Sequence, residues 1–170
     1  VVPVFVGSAT QNIGVRELLS MIVKHIPSPA EVGSRTTTDG KEIGPDPNGP
    51  FVAQVFKATA DPFVGRLTYF RVISGSLTGQ GHVYNASRRE EERIGNLLSV
   101  QGKDTENYAK VGPGDIAAVA KLSSTHAGDT LVADRAKAVT LDPLAFPAPT
   151  LQVAIEPESK ADLDKLGQAL

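Results

Sequence analysis

Residues able to do covalent or metal chemistry are few and scattered along this chain. The three histidines, His25, His82 and His126, fall in different kinds of element. No HxxxH, HExxH or carboxylate-paired spacing accompanies them, so no metal site is expected. Cysteine is absent, which removes disulfides, thiolate ligands and cysteine nucleophiles. Serine, histidine and aspartate occur without a GxSxG elbow. Gly114-Asp115 and Gly128-Asp129 each precede a β segment. A carboxylate placed there caps local amides in a turn rather than acting as a base or ligand. No catalytic residue is expected.

Binding chemistry has more to work with. Gly7-Ser8-Ala9 is a run of small residues after an apolar stretch; by itself it reads as a turn and helix start. Arg66 and Arg71 could hold phosphate, although exposed arginines more often pair with carboxylates. Arg88 to Arg93 is charged but locally neutral, the pattern of a solvated hairpin tip. The whole chain carries a net charge of −2, so any RNA contact must be local, weak alone or helped by other parts.

With 41% hydrophobic and 21% charged residues the chain is globular in composition. Aromatics are only 5%, so Val, Ile, Leu and Ala must build the core. No apolar run approaches the roughly 20 residues a bilayer requires. Residues 1–6 read as a buried strand. Val15, Leu18, Leu19, Ile22 and Ile26 then mark one face of a helix, ended by Pro27-Ser28-Pro29. Residues 30–50, dense in turn formers, read as a linker. Between 51 and 142, short β segments at 51–58, 67–73, 82–85, 92–100, 114–122 and 130–133 alternate with glycine turns. That spacing predicts a small antiparallel barrel or sandwich. After Phe146-Pro147-Ala148-Pro149, residues 151–155 read as a strand, and Ser159 caps a helix carrying Leu163, Leu166 and Leu170. Both ends fall inside regular elements, so the chain is expected to be an internal stretch of a longer protein.

Several blocks, in order, carry a resemblance. They are residues 60–72 (ADPFVGRLTYFRV), Glu92-Arg93-Ile94-Gly95, Gly114-Asp115-Ile116-Ala117-Ala118, Phe146-Pro147, Val153-Ala154-Ile155-Glu156-Pro157, Lys160-Ala161-Asp162 and Leu166-Gly167. Together they resemble the elongation factor G family of translational GTPases over nearly the whole chain. The resemblance implies the C-terminal end of a GTP-binding domain at 1–29, a linker at 30–50, the β-barrel domain II at 51–143 and the start of domain III at 144–170. The fold expected is mainly β: an antiparallel translation-factor-type barrel, preceded by a terminal strand-helix of an α/β GTPase domain. The first strand-helix of an α+β domain follows it.

The resemblance also implies that Gly7, Ser8 and Ala9 form a guanine-side motif in the parent protein, which would bind GTP or GDP with Mg. Arg66 and Arg71 become possible rRNA or interdomain contacts. The implied partners are the small ribosomal subunit, through its rRNA and proteins, and the parent's own GTPase and later domains, in the cytoplasm and without a membrane. Residues 101–110 are less basic than the family pattern, and 30–50 drift from it. These departures leave room for a divergent paralogue serving translocation, recycling or a related step. A free-standing β-barrel module binding protein or RNA is the alternative, opposed by few aromatics and a negative charge.

The phosphate-cradling GxxxxGK[ST] run occurs nowhere in these residues, and phosphoryl transfer depends on it. This chain is therefore predicted to release no phosphate from GTP above a buffer blank; turnover proportional to protein concentration would overturn that.

Overall fold

The computed structural model describes residues 2–61, 65–102, 104–157, 159, 162 and 166. Helix α1 (Val15–His25) starts at the first residue of the apolar spacing, because Gly14 at its N-cap has φ 76, which no helix residue adopts. It ends where Ile26 turns extended ahead of Pro27. None of its residues is buried. Residues 2–6 and 151–155, both expected as strands, enter no strand and are exposed. A strand needs an edge to pair with, and no described strand adjoins either stretch. Of the expected final helix, only residues 162 and 166 are described, both helical.

The stretch expected as a linker is structured. A capping box at Ser28 and Glu31 starts the short α2 (Pro29–Val32). Strands β1 (Arg35–Thr36) and β2 (Glu42–Ile43) then form a hairpin. Thr37 beyond it is buried and bridges to Leu141. Its hydroxyl, its neighbouring amides and Asp39 close the turn. The hairpin brings Ile43 over Val52, Tyr84, Val132 and Leu141, a small apolar layer outside the main core.

The main body is built from β3 (Val52–Asp61), β4 (Gly65–Ser74), β5 (Leu77–Thr78), β6 (Gly81–Asn85), β7 (Glu90–Ile94), β8 (Leu97–Gln101), β9 (Asp104–Tyr108), β10 (Lys110–Val111), β11 (Ile116–Ala120) and β12 (Thr130–Val132). Eight of them form one antiparallel sheet in the order β7-β6-β12-β3-β4-β11-β8-β9. The expected segment at 92–100 is really two strands. It breaks at Gly95-Asn96, and its halves stand at opposite ends of a seven-strand run. Three peptide steps from Ile94 to Leu97 span at most about 11 Å. The sheet therefore curls until β7 meets β8.

Its interior confirms the curl. Ile94, Val83, Leu131, Val55, Phe70, Val119 and Leu97, one from each successive strand, share a single buried cluster. Leu77 of β5 and Val111 of β10, paired to each other, complete that cluster at one end. Phe51 packs edge-on against Phe70, with ring centres 6.5 Å apart. Strand β9 lies outside the cluster as the second arm of a hairpin with β8, with all five residues exposed. Its polar composition hid it from the apolar pattern. The chain is thus mainly β, as expected.

Among the described residues one buried group stands alone. The Thr68 hydroxyl has no hydrogen-bond partner among them, and the residue is fully buried. An orphaned hydroxyl costs more than a methyl of the same shape. Thr68→Val is predicted to raise stability by about 1 kcal/mol in urea unfolding; a loss of that size would show that the hydroxyl has a partner.

Candidate functional site

Residues 7–14 close into a tight loop. Ser8 and Ile13 exchange both backbone hydrogen bonds at 3.0 Å, and the Asn12 amide donates to the Ala9 carbonyl. Gly7 and Gly14 make that closure possible: a Cβ on either would come within 2.6 Å of a backbone oxygen of the other strand of the loop. Ala9 stands exposed at the loop's far end, and its amide donates to no described group. The Ser8 and Thr10 hydroxyls lie 3.3 Å apart. The loop thus offers a small, preformed backbone donor surface, with no titrating group in it.

The two arginines singled out above are placed very differently. Arg66, half-buried on β4, donates to the carbonyls of Thr125 at 2.8 Å and Ser123 at 3.3 Å. Its own carbonyl accepts the Lys121 amide. It clamps the loop joining β11 to β12. Arg71, farther along β4, is exposed, and its side chain makes no hydrogen bond or ion pair among the described residues. It lines a small cavity of about 80 Å³ with Pro29, Arg35 and Gly114. The fold does not bring the two together: register sets both against β3, five residues apart along β4.

The polar cluster that organises this end of the barrel escaped sequence reasoning. Glu92 alternates inward with Ile94 on β7 and is buried. Its Oε1 accepts from the Thr125 hydroxyl. Its Oε2 accepts from the Ser123 amide at 2.7 Å and the Ser124 amide at 3.4 Å. Asn85 at the end of β6 donates from Nδ2 to Thr125 Oγ1 and to Asp129 Oδ2, both at 3.0 Å. Asp129 also accepts from the His126 amide and from Arg88 Nε, each at 2.8 Å. Asn85, Thr125 and Asp129 are all buried. The only legible signal was one glutamate on the inward side of an alternating strand.

Burial works against the Asp129 charge, but hydrogen bonds from Asn85, His126 and Arg88, together with the Arg88 charge, outweigh it. The carboxyl is held below its usual range. Gly128-Asp129 is a turn cap, as read above, and also an anchor between elements. Asp115 caps its own turn in the simpler way, accepting the Gly112 amide at 2.8 Å. Among the described residues no group of His, Asp or Glu is arranged to hold a metal ion. No described helix is long and apolar enough to cross a membrane. The cluster's chemistry is therefore positional: it fixes one loop.

Residues 50–134 match the family model described as elongation factor G domain 2, half of the chain and nearly all of the barrel.

Because the folded-state pKa of Asp129 is depressed, its contribution to stability is present above the ordinary carboxylate value. It is lost as pH falls through the lowered one. Asp129→Asn is predicted to cost about 2 kcal/mol at neutral pH and to flatten the loss of stability below about pH 4. Urea titrations across that range check it; an unchanged acid slope would overturn the assignment.

Proposed function

The chain belongs to the elongation factor G domain 2 family, and from that premise we propose that its barrel is the ribosome-docking module of a translational GTPase. Membership makes it a translation-factor domain, and domain II is a non-catalytic part of such factors. In our reading the barrel docks on the small ribosomal subunit and relays the nucleotide state of its parent to later domains. Residues 1–29 would be the end of the GTP-binding domain, 51–143 domain II and 144–170 the opening of domain III. The observation that carries this reading is the curled sheet wrapped around one shared core. Seven strands share one buried core, and a relay between neighbouring domains requires such a single packed unit.

Residues 7–14 support the nucleotide half of the reading. In the parent, the free Ala9 amide would approach the guanine carbonyl, and Gly7 and Ser8 would shape the loop. Small residues are needed there because the loop's own closure leaves no room for a side chain at Gly7. The phosphates and Mg would need residues outside this chain. Arg66 serves the barrel by holding the loop before β12, and through that loop the surface beside it. Arg71 is the exposed member of the pair and is free to meet a phosphate or a neighbouring domain.

Sedimentation of the chain with isolated ribosomal subunits tests the docking. Salt-sensitive pelleting with small subunits in preference to large ones is expected. Equal pelleting with both, or none at low salt, would overturn the docking reading.

A further inference from the structure

The seam where α2 and the β1–β2 hairpin lie against the barrel holds the small cavity that Arg71 lines from β4. Arg35 lines it from β1. No carboxylate lines it, and neither guanidinium makes a hydrogen bond or ion pair among the described residues. Elsewhere the chain pairs its cations, Arg88 with Asp129 and Lys41 with Asp39. Two like charges that share one space repel each other unless an anion lies between them.

The contacts around the cavity fix its shape. Pro29, at the start of α2, rests on Gly114, where an added Cβ would come within 2.2 Å of the proline Cγ. Gly114 is pinned to β4 in turn. Its amide donates to the Val72 carbonyl at 2.8 Å, and the Val72 amide donates to the Asp115 carbonyl at 2.9 Å. Arg71 stands between two paired strands, opposite Gln54 on β3 and Ile116 on β11. The hairpin that carries Arg35 is tied down by Ile43 in the outer apolar layer and by the bridge from Thr37 to Leu141. Pro29, Val32, Val72 and Ile73 supply apolar walls, which strengthen any charge interaction made between them. Gly33, the C-cap of α2 with φ 84, also lines the cavity. Its amide donates to no described group.

We propose that this cavity binds a single phosphate group, either free or at the end of a phosphate monoester. Arg35 and Arg71 would each present a planar fork of N–H donors to its oxygens, and the Gly33 amide would add another donor. A carboxylate is filled by one such fork, whereas a tetrahedral dianion has oxygens for both. The volume of about 80 Å³ has room for about five water-sized groups. That suits one phosphate and is too small for the ribose and base of a nucleotide. Because the two arginines come from different elements, the bound anion would tie the hairpin to the barrel. The inference uses only residues of this chain and stands whether or not the barrel docks on the ribosome.

The test is nitrogen-15 NMR of the whole chain, titrated with sodium phosphate at fixed pH and ionic strength. Saturable shifts are expected at the Gly33 amide and at the Arg35 and Arg71 Nε–H, with a Kd on the order of 1 mM. Arg35→Gln and Arg71→Gln should each weaken binding about tenfold. Both side chains are exposed, so the rest of each variant's spectrum should match the wild type. Phosphate should also raise the urea midpoint of the wild type and leave that of Arg71→Gln nearly unchanged. Phenyl phosphate is the second arm: saturation by both compounds assigns a monoester end, and saturation by inorganic phosphate alone assigns the free ion. No saturable shift with either compound would overturn the proposal. So would equal shifts with sodium acetate, or an unchanged affinity in both variants.

Discussion

The molecule depends on one short step of chain. Between Ile94 and Leu97 only Gly95 and Asn96 intervene, yet the strands they join stand first and seventh in the sheet. A flat sheet would hold those strands roughly 29 Å apart, six inter-strand spacings of about 4.8 Å. The connection cannot reach that far, so the sheet must curl. That curl in turn defines an inside, which is why small residues suffice for the core. Valine, leucine, isoleucine and alanine from seven strands meet across a narrow lumen, and among the described residues Phe51 and Phe70 alone bring aromatic bulk to it.

That β domain was partly legible beforehand. Short segments rich in β-formers and the glycine turns gave an antiparallel β domain of the right extent, and the helix at Val15–His25 followed from its apolar spacing. The break within 92–100 was not legible, since Arg93-Ile94-Gly95-Asn96-Leu97 keeps a strand-like composition throughout. Strand β9 was missed because an edge strand exposed on both faces has no apolar pattern to show. The β1–β2 hairpin was missed because its strands are two residues each and show no period, and because Thr37 between them bridges to Leu141, about a hundred residues away. Residues 2–6 and 151–155 show the converse: strand-like composition is not enough where no edge is on offer.

Of the candidate sites, the sequence pointed to residue types but not to roles. Arg66 and Arg71 look equivalent in a string. The fold turns one toward the β11–β12 loop and leaves the other in water. The decisive fact is the reach of Arg66 to carbonyls more than fifty residues away, which no local pattern encodes. The turn at Gly7-Ser8-Ala9, though not any role for it, was legible for the opposite reason. Its constraint is steric and lies within eight residues, between Gly7 and Gly14.

Strand β7 shows how one barrel wall can serve two purposes. Its alternation sends Glu92 inward and Arg93 outward from neighbouring positions. The inward carboxylate is buried, so its charge is tolerable only with hydrogen bonds to replace water. The Ser123 and Ser124 amides and the Thr125 hydroxyl supply them. Those three groups lie directly after Lys121 and Leu122, so satisfying Glu92 also fixes where the loop leaves β11. The outward arginine faces a groove that this same loop borders. A polar requirement of the interior thus sets the geometry of an exposed surface. Removing the Glu92 charge should therefore disturb the Lys121 side of that surface before it disturbs Arg93, whose strand is held independently by its pairing with β6.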